Sequence, residues 1–185
     1  MTANVAHAEM PALLERARAG DRDAFASLVR AHQHSVFSVG LRMLRRRDLA
    51  EDLAQDVFLQ LYRRLGDIES FEHLGFWLRR VAANLSIDRL RRIPHEPLAP
   101  EHEPATHDAP SDPLLTREIA RHLDELAPAP RAVMVLRYQE DLDLNDIATA
   151  LDMPVNTVKS HIKRSLTNLR SRMIGARLVD SEETP

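Results

Sequence analysis

Two stretches of this sequence gather cations. VNTVKSHIKRSLTNLR (155–170) holds four basic side chains, one histidine and no acid. RRVAANLSIDRLRR (79–92) holds five arginines against one aspartate. The whole chain has a formal net charge of −3, so these cations are segregated rather than general. Ammonium and guanidinium groups at that density bind polyanions, above all phosphate backbones. DLAEDLAQD (48–56) has the opposite chemistry, four carboxylates within nine residues. Groups that make and break bonds are missing. There is no glycine-rich phosphate loop, no HExxH and no nucleophile elbow. Without cysteine there is neither a disulfide nor a thiolate metal site. The nine histidines are scattered, and His95, His102 and His107 fall in a proline-rich stretch. The sequence therefore predicts no catalytic residue, no metal and no cofactor.

Helices must hold these groups in place. Glycine is scarce, alternating β-branched runs are rare, and Ala, Leu and Arg dominate, which favours an all-α fold. From Asp23 to Leu44, Phe25, Leu28, Val29, Val36, Phe37, Leu41 and Leu44 recur at helical spacing. After a break at Arg45-Arg46-Arg47, Asp48 reads as an N-cap with Glu51 completing a capping box. The helix it opens carries Leu49, Leu53, Val57, Leu61 and Leu65 four apart. GDIESFEHLG (66–75) reads as a loop. The next helix starts near Phe76 and runs to about Arg92, with Trp77, Val81 and Leu85 as its inward stripe.

IPHEPLAPEHEPATHDAPSDP then holds six prolines, and residues 94–113 hold five acids and no base. Proline removes a donor and restrains its predecessor, and like charges extend the chain. This is a flexible acidic linker. The fold class is two small helical domains joined by it. The expected boundaries are an extension at 1–21, a first domain at 22–93, the linker at 94–113, a second domain at 114–175 and an acidic tail at 176–185. No apolar run reaches the ~18 residues a bilayer span needs. The N-terminus has no basic segment leading into an apolar one, so a cytoplasmic chain is expected.

LDLNDIATALDMPVNTVKSHIKRSL has the spacing of a helix-turn-helix. Asp143 caps a short helix carrying Ile147, Ala148 and Leu151. Asp152 stands where the turn favours positive φ, which aspartate tolerates better than most residues. Pro154 starts the second helix, where its missing N–H has no partner to lose. Val158, Ile162 and Leu166 should face inward, leaving Asn156, Lys159, Ser160, Lys163 and Arg164 outward. Lys159 and Lys163, one turn apart, suit phosphates or guanine acceptors. A basic surface helix in an ordinary bundle would show the same pattern.

DLAEDLAQDVFLQLYRRL (48–65), FWLRRVAANLSIDRLRR (76–92) and LDELAPAPRAVMVLRYQEDLDLNDIATALDMPVNTVKSHIKRSLTNLR (123–170) occur in that order. Together they resemble the extracytoplasmic-function sigma factors, small two-domain bacterial sigma factors of RNA polymerase, over residues 22–173. The resemblance implies that the helix at 48–65 docks on a coiled coil of the polymerase largest subunit. Glu51, Asp52, Gln55, Asp56 and Gln60 would be its polar contacts, with Phe58 beside them. It implies that the loop at 66–75 and the helix after it read and open the −10 element. Asn84, Asp88, Arg89, Arg91 and Arg92 match DNA-facing positions, and Arg79 and Arg80 extend that patch. It implies −35 recognition by Asn156, Thr157, Lys159, Ser160, Lys163 and Arg164. Asn156 stands where the family often has glycine, and His161 where it often has arginine, so the −35 sequence is not readable.

The partners implied are core RNA polymerase, through the coiled coil and the flap, promoter DNA, and an anti-sigma factor that occludes the polymerase-binding surfaces. The chain itself would not insert into a membrane. The alternative is a helix-turn-helix transcriptional regulator that binds DNA without polymerase. It accounts for residues 114–175 but not for the second arginine patch.

Overall fold

The computed structural model describes residues 11–92 and 113–182, with side chains described over 11–92 and 119–173. Two compact units divide near Glu96. Among the described residues the regular structure is helical throughout. The acidic linker expected at 94–113 lies outside them, apart from Pro113, which opens a helix.

The first unit begins with a helix at residues 11–18, α1, which the sequence leaves outside the first domain. Its Leu14 and Ala17 are buried. Gly20, at φ 91°, makes the reversal that follows. Asp21 then caps α2 (Arg22–Leu44) by accepting from the N–H groups of Asp23 and Ala24. Those two bonds, with the paired Arg16 guanidinium, hold the Asp21 carboxyl below its ordinary range. α2 ends at Arg45, whose left-handed φ of 59° breaks the helix where the three arginines were expected to.

α3 (Arg47–Arg63) buries Ala50, Leu53, Val57 and Leu61. Its start corrects the capping-box expectation. Arg46 occupies the cap position, and its side chain makes no capping hydrogen bond. Asp48 instead takes the Arg46 guanidinium at 2.5 Å, and Glu51 takes Arg47 at 2.8 Å. The arginines flanking the cap draw both carboxylates sideways into ion pairs. A short 3-10 turn, Leu65–Asp67, follows.

α4 (Phe71–Arg92) begins five residues earlier than the sequence suggests. Ser70 caps it, its Oγ accepting from His73 N–H at 3.1 Å, while His73 Nδ1 accepts from Glu69 N–H at 3.1 Å. The expected loop therefore shrinks to about half its length. The inward stripe is also displaced. Leu74, Leu78, Ala82, Ala83, Ser86 and Ile87 are buried, whereas Trp77, Val81 and Leu85 are half-buried. α4 packs against both α2 and α3, and small side chains at 82, 83 and 86 permit that double approach.

The second unit contains α5 (Pro113–Glu125), α6 (Pro128–Tyr138), α7 (Leu144–Ala150) and α8 (Val155–Glu182). α8 runs on past residue 176, where the acidic tail was expected to start. Buried Arg131 of α6 donates to the carbonyls of Asp124 and Leu126, closing the C-terminal end of α5. Arg137 donates to the Leu142 carbonyl at 2.8 Å and so fixes the α6–α7 connection. Asp143 caps α7 as expected, accepting from Asn145 and Asp146 N–H at 2.7 and 2.8 Å. Asp152 takes φ 50° in the turn. Pro154 sits just ahead of α8, its carbonyl accepting from Thr157 and Val158 N–H. α7 and α6 both pack on α8.

Candidate functional site

Helical phase decides which residues share a face, because each advances the direction by about 100°. On α3, Leu53, Val57 and Leu61 point into the first unit. The opposite side, an arc of about 80° by that advance, carries Asp52, Gln55, Leu59 and Tyr62. Glu51 and Asp56 flank it, and all six are exposed. Phe58 and Gln60 lie further round and are half-buried. Among the described residues Asp52 makes no ion pair, whereas Glu51 is held by Arg47. Leu59 and Tyr62 are 53% and 64% exposed, and sequence reasoning missed them. Their displacement from the buried Leu53-Val57-Leu61 stripe was the available signal. The Tyr62 ring meets Phe25 edge-on at 5.3 Å. The face thus offers carboxylates, an amide and an apolar end to a partner, which suits a basic helical surface.

On α4 the arginine patch splits. Arg80, Asn84, Asp88 and Arg91 share one face, with Arg92 beside them. Asn84 Nδ2 donates to the Arg80 carbonyl at 2.9 Å, and Arg91 lies 3.8 Å from Asp88. Arg79 and Arg89 point elsewhere. Arg79 lies towards α2, where its charge acts on His32. Arg89 lies against α3, bonded to the Leu49 carbonyl at 2.8 Å and to Asp56 at 2.5 Å. The seven residues that the resemblance gathers into one DNA-facing patch therefore separate into a solvent face and two inward arginines.

On α8, Asn156, Lys159, Ser160, Lys163 and Arg164 are exposed and Thr157 is half-buried. They line the outer side of the helix-turn-helix, as expected. Ser160 Oγ donates back to the Asn156 carbonyl at 2.9 Å. The inward stripe differs from the expected one at its far end. Val158 and Ser165 are buried and Ile162 half-buried, whereas Leu166 is 40% exposed. Positions 158, 162, 165 and 169 follow the 3.6-residue turn, whereas a strict four-residue step drifts off it. Burial and the neighbouring Arg164 charge lower the pKa of His161.

The sequence also gave no notice of His122. It is 3% exposed in an open cleft of about 480 Å³ with Glu125, Leu126, Asn168, Ser171 and Arg172. Arg172 pairs with Glu125 across it, joining α8 to α5. Among the described residues no cluster of three His, Asp or Glu could hold a metal ion, and no helix is long and apolar enough to cross a membrane.

The sequence families that match have the same two-part layout. Residues 28–93 match sigma-70 region 2, and residues 116–169 match sigma-70, region 4. The ECF RNA polymerase sigma-E factor of Haemophilus influenzae is 31% identical over 178 residues, 88% of this chain and 94% of that protein. The RNA polymerase sigma-H factor of Pseudomonas aeruginosa is 31% identical over 169 residues, 83% of this chain and 88% of that protein. Among solved structures, the sigma factor RpoE with the anti-sigma factor NepR from Bartonella quintana superposes with a TM-score of 0.65. That match has 18% identity and covers 80% of this chain and 94% of the other. CnrH, in complex with the cytosolic domain of CnrY, also gives 0.65, at 22% identity over 89% and 97%. At such identities the likeness is one of fold.

Proposed function

The chain belongs to the extracytoplasmic-function RNA polymerase sigma factors, and from that premise we propose how its surfaces divide the work. It binds core RNA polymerase and directs promoter-specific initiation by recognising −10 and −35 elements. The exposed face of α3 docks on the coiled coil of the largest subunit. Asp52, Gln55 and Asp56 supply its polar core, and Leu59 and Tyr62 its apolar end. Arg80, Asn84, Asp88, Arg91 and Arg92 meet DNA at the −10 element. The turn from Leu65 to Ser70, shorter than the sequence implies, faces the unstacked bases. The outer side of α8 enters the major groove at the −35 element, with its N-terminal residues foremost. The second unit also meets the polymerase flap.

The observation that carries this reading is the separation of charge by face. The acids point outward from α3 and the bases outward from α4 and α8, each opposite a buried stripe. The protein supplies no bond-making chemistry. The polymerase forms the phosphodiester bond, and this subunit selects where. It works in the cytoplasm and needs no metal or cofactor. An anti-sigma factor controls it by covering the docking surfaces.

Footprinting separates this from the regulator reading. The purified chain should protect a promoter fragment only when sigma-free core polymerase is added. Lys163→Ala should weaken protection at the −35 element by about 1–3 kcal/mol if Lys163 reads a base. Strong protection by the chain alone, in two half-sites a helical turn apart, would favour the regulator.

A further inference from the structure

Arg89 and Asp56 were expected in different interfaces, one on DNA and the other on polymerase, yet they bond to each other. The Arg89 side chain is 22% exposed and its Nη2 lies 2.5 Å from Asp56 Oδ2. Its Nη1 lies 2.8 Å from the Leu49 carbonyl. One guanidinium thus joins a backbone and a side-chain acceptor from two α3 residues, Leu49 and Asp56. The planar fork of arginine aims two separate nitrogens at the two acceptors, whereas the donors of an ammonium all radiate from one nitrogen. The Asp56 carboxylate is pinned by one oxygen while its side chain stays 53% exposed. Asp52, one turn earlier, is on the adjoining part of the same face.

Helical phase argues against a phosphate contact for Arg89. It lies about 180° from Arg80 around α4, on the side that meets α3. Its charge is spent on a carboxylate and a carbonyl within the first unit.

We infer that Arg89 is a positioning residue for polymerase docking: it acts through Asp56, holding that carboxylate in the orientation the polymerase meets. The inference rests on α3 being the docking face. A carboxylate fixed before binding loses less rotamer freedom when it binds. The same bond fastens the DNA-facing helix to the docking helix, so strain on one is felt by the other.

A double-mutant cycle tests this with the full chain and sigma-free core polymerase. The affinity for core is measured by fluorescence anisotropy for the native protein, Asp56→Ala, Arg89→Ala and the double variant. Arg89→Gln is included as a neutral donor that keeps the packing should Arg89→Ala fail to fold. Promoter affinity of the assembled holoenzyme is measured in parallel against salt. Arg89→Ala should weaken core binding roughly three- to tenfold, and the double variant should be no weaker than Asp56→Ala. Arg89→Gln should fall between Arg89→Ala and the native chain. The salt slope of promoter binding should not change. Unchanged core affinity in Arg89→Ala, with a salt slope smaller by about one, would make Arg89 a phosphate contact and overturn the inference. Losses that multiply in the double variant would overturn it while leaving Asp56 as a docking residue. An Asp56→Ala variant that binds core normally would remove the docking reading of Asp56 and the inference with it.

Discussion

His32 of α2 lies half-buried against the start of α4, its ring 5.4 Å from that of Phe71. Its Nε2 is buried and has no hydrogen-bond partner among the described residues. Burial lowers its pKa below the ordinary 6.5, and the nearby Arg79 charge adds to the effect. Below pH 6.5 the unfolded chain binds a proton here that the folded chain resists. Above that pH the ring is neutral in both states and adds no pH dependence, and stability falls as pH drops through it. His32→Phe should flatten this limb. Between about pH 7.5 and 5.5 its melting temperature should fall less than that of the native protein. Equal slopes would show that His32 does not sense pH. At this scale the sequence conveys which groups are present but not whom they bond. The five arginines of 79–92 were legible as one patch. Their division between solvent, Asp56 and the His32 side depends on helical phase and on which helices lie alongside. The pair formed by Arg89 and Asp56 spans 33 residues, and no local spacing announces it.

Helices were legible wherever large apolar residues and the buried face coincide. On α3 Leu53, Val57 and Leu61 are inward as their spacing predicts. On α4 the pattern misleads, because the helix is wedged between α2 and α3 and buries alanines and a serine there. Leu74, Leu78 and Ile87 complete the buried side, and Trp77, Val81 and Leu85 are pushed to its margin. Ser86 is tolerated inside because its hydroxyl donates to the Ala82 carbonyl at 2.7 Å. The same closeness governs the α2–α3 crossing. A Cβ on Gly40 would lie 3.2 Å from Leu53 Cδ2 and 3.4 Å from the Ala50 Cα. A large side chain there must push α3 away. Gly40→Leu should lower stability by about 1–3 kcal/mol in denaturant unfolding, as overpacked cores do. A variant as stable as the native chain would mean that α3 is free to shift. The α3 start was misread because Asp48 and Glu51 have arginine neighbours that outcompete the backbone for them. The α4 start was misread because Ser70 lies between two glycines that made the stretch look wholly irregular.

For the whole molecule, the net charge of −3 hides an arrangement in which acids and bases occupy different faces. Two units and their chain order were legible, because proline and acid density mark the boundary between them. The sequence could not convey that residues 11–18 bury Leu14 and Ala17, since one short helix leaves little periodic signal. In the proposed division of labour the α3 face brings core polymerase to promoters that the basic faces select. Run-off transcription reads this out with sigma-free bacterial core polymerase and promoter fragments from the same genome. The native chain should give discrete transcripts. Asp52→Arg/Asp56→Arg, folded by circular dichroism, should abolish them. Transcripts that persist in the double variant, or that never appear with the native chain, would contradict it.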